Sequence, residues 1–140
     1  MDRRKFIVQG CGACLAVAGM GMLFSSCGSA LPLLKTSAEA GNILRVPMSS
    51  FNEQTNMILL RNNTLSNDIL LVKAAEGYRA LYMRCTHENF SLTATGKKIF
   101  CSSHGSEFDF EGRVLKEPAL SPLKKFKTEI QNNHIIIHLS

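Results

Sequence analysis

The sequence predicts an all-β domain that follows an N-terminal segment of different composition. Short runs rich in β-branched and aromatic residues recur from residue 43 to residue 139, and turn-forming pairs such as Asn132-Asn133 separate them. No stretch after residue 40 keeps a helical hydrophobic period over three turns. Because many short strands at close spacing are typical of β-sandwiches and barrels, we predict one of these architectures. A chain of 140 residues has room for one such domain and not for two.

The predicted strands follow from the runs between turns. In chain order they are 43–46, 57–61, 69–73, 78–83, 97–101, 107–110, 113–115, 126–130 and 134–139. Turns between them carry Asn, Asp or Gly, which tolerate the backbone conformations that turns need. Thirteen residues separate His87 from Cys101. This short spacing predicts a tight hairpin over 90–100 that turns at Thr95-Gly96.

Residues 1–27 predict an export signal. Arg3-Arg4 precede a stretch without charged residues that runs from Phe6 to Leu34. A charged start followed by an apolar run is the architecture of export signals, and the paired arginines resemble a twin-arginine signal. Twin-arginine export carries proteins that have already folded in the cytoplasm. That route suits a protein whose cofactor must be inserted before export.

Cys27 is the candidate attachment point to a membrane. The small residues just before it resemble a bacterial lipoprotein box, in which Cys27 becomes the lipidated first residue of the mature protein. The alternative is an uncleaved transmembrane anchor, since residues 6–24 are just long enough to span a bilayer. Either arrangement places the folded part outside the cytoplasm and beside a membrane, at the periplasmic face or in the cell envelope of a bacterium. Residues 28–40 would then form a tether and residues 41–140 the folded domain.

The charge distribution argues against a nucleic-acid partner. The formal net charge is +5, but residues 1–26 hold +2 of it, and the remainder carries 13 Lys and Arg against 10 Asp and Glu. Nucleic-acid-binding domains keep their positive charge clustered in the folded part. We therefore expect no nucleic acid among the partners.

Two short boxes hold the residues with the most distinctive chemistry. The first box is Cys85-Thr86-His87 and the second is Cys101-Ser102-Ser103-His104. Each box stands where a predicted strand ends, so two loops from neighbouring hairpins can bring these side chains to one site. Thiolate and imidazole ligands suit an iron–sulfur cluster or zinc. A tetrahedral zinc site with two cysteines and two histidines remains the alternative at this point.

The residues after the second box distinguish between these metals. The segment Gly105-Ser106-Glu107-Phe108-Asp109 follows it directly, and Pro122-Leu123-Lys124-Lys125-Phe126 follows a loop that contains Pro118. In these motifs and spacings the chain resembles the Rieske iron–sulfur proteins over residues 43–139. The resemblance implies a Rieske-type fold, a small antiparallel β-sandwich with a cluster-binding subdomain of two loops.

The resemblance also implies a role for each motif residue. Cys85 and Cys101 would ligate one iron of a 2Fe-2S cluster, and His87 and His104 the other. Ser106 stands where family members place a hydroxyl donor to a cluster sulfur. Pro118 belongs to the loop that covers the cluster in this family. Two neutral imidazoles in place of two thiolates raise the reduction potential into a range of about −150 to +300 mV.

Three departures from the family pattern bear on the potential. High-potential members have an extra cysteine in each box, and a disulfide joins the two. Phe90 and Ser103 stand at those places here. Phe108 stands where quinol-oxidising members place a tyrosine whose hydroxyl raises the potential. The resemblance therefore implies the ferredoxin-like branch and an intermediate potential.

The function predicted from the sequence is single-electron transfer by a membrane-tethered Rieske protein. On its own it would be a carrier and not an enzyme, and its partner would be a redox protein or a quinol-linked membrane complex. Two alternatives stay open. The chain is the iron–sulfur subunit of a quinol-oxidising or other exported oxidoreductase complex, or it is a structural zinc-binding module of a surface lipoprotein.

Overall fold

The computed structural model describes residues 30–140. The predicted export signal, with Cys27, lies outside these residues. In chain order the elements are β1 (Leu33–Lys35), β2 (Ile43–Pro47), a 3₁₀ turn (Met48–Ser50), β3 (Met57–Arg61), β4 (Ile69–Ala74), β5 (Gly77–Tyr82), β6 (Thr93–Ala94), β7 (Ile99–Phe100), β8 (Glu107–Phe108), β9 (Val114–Lys116), β10 (Lys125–Gln131) and β11 (His134–His138). The prediction of an all-β domain is confirmed. No helix within residues 30–140 is long and apolar enough to cross a membrane.

The strands form two sheets of unequal size. The larger has seven strands in the order β1-β3-β4-β5-β10-β11-β2, and the smaller has four in the order β6-β7-β8-β9. All neighbours are antiparallel except β1 and β3, which run parallel. The smaller sheet, with the loops around it, forms a separate subdomain on one face of the larger sheet.

Strand β4 lies between two hydrophobic cores. Its residues Ile69 and Leu71 belong to the first core, which β2, β3 and β11 complete. Its residues Leu70 and Val72 belong to the second core, which the subdomain completes. Successive side chains of a strand point to opposite faces, so an uninterrupted apolar run is what a strand buried on both faces requires. Each of these side chains stabilises the fold by about 1.5–3 kcal/mol on burial.

The second core connects the sheet to the two boxes. Cys85, Cys101 and Phe108 are buried in it, together with Leu81 and Ile99. The cysteines therefore sit at the boundary between the hydrophobic core and the loops that follow it. Packing of the subdomain and placement of the two thiols depend on the same contacts.

Strand β1 lies inside the segment predicted as a tether. Leu33–Lys35 pairs in parallel with β3, and the N–H of Thr36 donates to the carbonyl of Arg61. Leu34 packs against the first core and Leu31 against the second. The chain is thus part of the folded body from Leu31 onward, because these leucines fill apolar sites beside an otherwise unpaired edge strand.

Candidate metal centre

Loop 1, residues 84–91, carries the first box and follows β5. It is closed by an isolated antiparallel bridge between Arg84 and Ser91. Within it the N–H of Cys85 donates to the carbonyl of Phe90 at 2.8 Å. Asn89 takes a positive φ of 35°, a conformation that Asn tolerates better than most residues. The loop is a compact turn in which Cys85 and Phe90 are held together.

Loop 2, residues 101–106, carries the second box and joins β7 to β8. The N–H of Cys101 donates to the carbonyl of Ser106 at 2.8 Å, and the N–H of Gly105 donates to the carbonyl of Cys101 at 2.9 Å. Gly105 has a φ of 82°, in the left-handed region that favours glycine. The glycine after the second histidine is thus required by the turn itself.

The two thiols are buried and adjacent. Cys85 and Cys101 are both free thiols, each only 1% exposed. Burial acts to raise the pKa of the Cys101 thiol, but hydrogen bonds to its sulfur outweigh burial and hold the pKa below its ordinary value. The donors are the backbone N–H groups of His104 and Ser103, with further bonds to the side chains of Cys85 and Ser103. Loop 2 therefore favours the thiolate, which is the form that binds metals.

The two imidazoles are exposed and also adjacent. The ring centroids of His87 and His104 are 4.9 Å apart, and the ring planes are inclined at 87°. The side chain of His104 is 36% exposed. No group of three or more Cys, His, Asp or Glu side chains converges on one metal position within residues 30–140. The four side chains form two pairs, a buried pair of thiols and an exposed pair of imidazoles, and each loop contributes one member to each pair.

Loop 3, residues 117–122, is fastened to both boxes. The N–H of Ala119 donates to Oγ of Ser106 at 3.0 Å, and Oγ1 of Thr86 donates to the carbonyl of Ser121 at 2.6 Å. Pro118, which follows a cis peptide bond, stands at the start of this loop. Loop 3 therefore lies against loops 1 and 2.

Ser106 is buried with an unused donor. Its side chain is fully enclosed, and Oγ accepts the N–H of Ala119. Among the described residues, no acceptor is paired with the hydroxyl proton of Ser106. A buried hydroxyl with an unused proton fits a site that also contains an acceptor such as an inorganic sulfide.

The structure gives three residues of loop 1 contacts that the sequence does not predict. Oε2 of Glu88 lies 3.7 Å from Nε2 of His104, and the Phe90 ring contacts the His104 ring at a centroid distance of 5.5 Å. Thr86 provides the hydrogen bond to loop 3. All three lie within or next to the first box, and this proximity in sequence could have marked them as candidate site residues. Their partners are 14 to 35 residues away in sequence, so only the fold identifies the contacts.

Comparison with known proteins identifies the family. The sequence model described as the Rieske 2Fe-2S domain matches residues 47–127, more than half of the chain. The chain belongs to the Rieske 2Fe-2S family. It is a Rieske electron carrier with a 2Fe-2S cluster, and the predicted resemblance, fold and cofactor are confirmed. The Rieske assignment removes the support for a structural zinc module.

Relatives of the Rieske protein occur in several redox systems. Over 141 residues it is 22% identical to the cytochrome b6-f complex iron-sulfur subunit of Chlorobaculum tepidum, which covers 99% of this chain and 76% of the relative. The plasma membrane Rieske protein of Synechocystis PCC 6803 superposes with a TM-score of 0.55 at 25% identity, covering 66% of this chain and 96% of that one. A chain of a hyperthermophilic respiratory Complex III gives a TM-score of 0.54 at 16% identity, covering 94% of both chains.

Proposed function

We propose that Cys85 and Cys101 hold one iron of the 2Fe-2S cluster, and that His87 and His104 hold the other. The observation that carries this assignment is the segregation of the donors into a buried thiol pair and an exposed imidazole pair. Soft thiolates and borderline imidazoles are the ligands that a Rieske cluster uses. The cluster, when bound, supplies one-electron oxidation and reduction.

The protein residues set where the electron leaves and how strongly it is held. The exposed edges of His87 and His104 give a partner access to one side of the site, while the second core shields the sulfurs from water. The backbone N–H groups of Ser103 and His104 beside the Cys101 sulfur would stabilise the more negative, reduced state and so raise the potential. The free hydroxyl proton of Ser106 acts in the same direction. Phe108 is fully buried and has no hydroxyl to add, so the potential stays intermediate.

We infer a membrane-associated redox partner outside the cytoplasm. The relatives named above belong to a cytochrome b6-f complex, a plasma membrane and a respiratory complex. Residues 1–27 supply the predicted export signal, and either a lipid on Cys27 or an uncleaved anchor supplies the attachment. The second candidate function is that of the iron–sulfur subunit of a quinol-oxidising complex. The similarity to the b6-f subunit favours it, because the alignment covers 99% of this chain and 76% of that subunit.

An EPR-monitored redox titration of the detergent-solubilised full chain tests this function. We expect a Rieske-type signal on reduction, and Cys85→Ser or His104→Ala should abolish it together with bound sulfide. His134→Ala is the matched control, because His134 lies on β11, outside both boxes, and its ring hydrogen-bonds the nearby carbonyl of Asn132. Normal iron and sulfide content in either ligand variant would contradict the assignment. A high midpoint would favour the quinol-oxidising subunit, and a low midpoint the ferredoxin-like carrier.

A further inference from the structure

No disulfide connects the two loops that carry the boxes. Within residues 30–140 the cysteines are the free thiols Cys85 and Cys101. Loop 1 extends from the larger sheet and loop 2 from the smaller one. Besides the proposed cluster, side-chain contacts between the loops are therefore what can hold His87 and His104 in a fixed orientation.

The Phe90 side chain makes such a contact. Its ring centroid lies 5.5 Å from that of His104, with the planes inclined at 68°, which is an edge-to-face arrangement. The carbonyl of Phe90 accepts the N–H of Cys85 at 2.8 Å, so the backbone that carries the ring is bound to the first cysteine of the site. One residue thus connects the backbone of Cys85 in loop 1 to the imidazole of His104 in loop 2.

The His104 imidazole contacts two rings. His87 contacts it nearly at right angles at 4.9 Å, and Phe90 contacts it at 5.5 Å. Two edge-to-face neighbours restrict rotation of the imidazole plane, which an exposed side chain on a surface loop would otherwise sample. The Phe90 side chain remains 47% exposed, so its burial contributes only part of what a core phenylalanine contributes. The specific contact with His104 is a physical reason for a large aromatic group at this exposed position.

We propose that Phe90 is a positioning residue that fixes the orientation of the His104 imidazole and fastens loop 1 to loop 2. This inference rests on the proposed function, because it requires His104 to be a cluster ligand. Loss of the ring frees the imidazole to rotate and lets the two loops separate. The cluster is then lost faster, and the ligand field at the histidine-bound iron changes.

The test compares Phe90→Ala, Phe90→Leu and Phe90→Tyr in the cluster-loaded full chain. Two quantities are measured: the rate of iron release to a chelator, and the g values of the reduced cluster by EPR. Phe90→Ala and Phe90→Leu should release iron roughly three- to tenfold faster, the factor that corresponds to losing one aromatic pair. Both should shift the g values, and Phe90→Tyr, which keeps the ring, should match the wild type in both measurements.

Leu115→Ala is the matched control for loss of an exposed apolar side chain. Leu115 is 58% exposed and lies on β9, outside the three loops of the site. It should leave both measurements unchanged. Wild-type g values in Phe90→Leu would overturn the proposal, whether or not Phe90→Ala assembles a cluster. A wild-type chain without a Rieske signal would overturn the proposed function instead, so the two failures are distinguishable.

Discussion

Ser106 combines one observed contact with one proposed role. Its oxygen accepts the N–H of Ala119 and so holds loop 3, and we propose that its proton is donated to a cluster sulfur. The sequence motif predicts the second role by resemblance, and the structure adds the first. A substitution at this position is therefore expected to change both the potential and the attachment of loop 3.

We predict that Ser106→Ala lowers the midpoint potential by on the order of 50 mV, because one hydrogen bond to the reduced cluster is lost. The measurement is an EPR-monitored titration of both proteins. Ser102→Ala is the control, since Ser102 belongs to the same loop and is exposed. An unchanged midpoint in Ser106→Ala would mean that the hydroxyl proton does not reach a cluster sulfur.

At the scale of elements, the turn between β8 and β9 contacts both the larger sheet and the end of loop 3. Oδ1 of Asp109 accepts the N–H groups of Glu111 and Arg113, and Nε of Arg113 donates to Oδ2 at 2.7 Å. Gly112, with a φ of 78°, brings the backbone within 3.1 Å of Leu81, measured from the position that a Cβ would take. The carbonyl of Gly112 accepts the N–H of Leu123, so the turn also holds the end of loop 3.

The Asp109 carboxylate makes this turn sensitive to acid. Burial acts to raise the pKa of Asp109, but the hydrogen bonds from Arg113 and the turn backbone outweigh it and hold the pKa below its ordinary value. A carboxylate with a depressed pKa contributes stability above its unfolded-state pKa, and that stability is lost as the pH falls through the folded-state value. We predict that Asp109→Asn lowers the free energy of unfolding at pH 7 by about 2 kcal/mol.

Urea unfolding at pH 7 and at pH 3 measures the effect. The difference between wild type and Asp109→Asn should shrink as the pH falls below about 4, where the carboxyl of the unfolded chain becomes protonated, and should shrink further as the pH falls through the lower folded-state pKa. Glu111→Gln is the control, because its pair with Arg113 at 3.2 Å is solvent-exposed and such pairs contribute little. A difference of the same size at both pH values would show that the charge of Asp109 plays no part.

Strand β1 forms one edge of the larger sheet. Leu34 packs against the first core, whereas its neighbour Leu33 is 44% exposed. We predict that Leu34→Ala lowers the free energy of unfolding by about 1.5 kcal/mol and that Leu33→Ala changes it by less than about 0.5 kcal/mol. Chemical denaturation of the two variants measures both values. Equal effects would mean that β1 does not hold its place on the sheet in solution.

The sequence predicts the strands that bury an alternating or continuous apolar face. It misses the short strands that are defined only by their pairing with a neighbouring strand. The run at 57–61 coincides with β3, and the run at 69–73 differs from β4 by one residue. The strands β1 and β6 have only two or three residues, and their pairing with β3 and β7 is what defines them. Such short segments carry too few residues for a period to be recognised.

The candidate site was predictable to a similar degree. The two boxes and Ser106 follow the spacing on which the family resemblance rests, and both cysteines of the boxes lie in the second core. The contacts of Glu88 and Phe90 with His104 depend on how loop 1 meets loop 2 across two sheets. No sequence pattern within either loop determines how the two loops pack against each other. These contacts could therefore be identified only from the structure.

At the scale of the whole molecule, the folded body begins close to the predicted membrane attachment. Leu31 already packs against the second core, so only three residues separate Cys27 from a docked side chain. The four steps from Cys27 to Leu31 reach at most about 14 Å when fully extended. If Cys27 carries the lipid, the domain is held near the membrane surface, and reduction or oxidation by a membrane complex requires little movement of the carrier.

The prediction that follows concerns the attachment itself. Cys27→Ala should move the protein from the membrane fraction to the soluble fraction, because the lipid is the predicted anchor. Cell fractionation followed by a high-salt wash measures the distribution, and the wash removes protein that is held by charge alone. Cys14→Ala is the control, since it removes a cysteine from the apolar run without touching the lipoprotein box, and it should stay with the membrane. Retention of Cys27→Ala in washed membranes would instead support the uncleaved anchor at residues 6–24, whose apolar length spans a bilayer without a lipid.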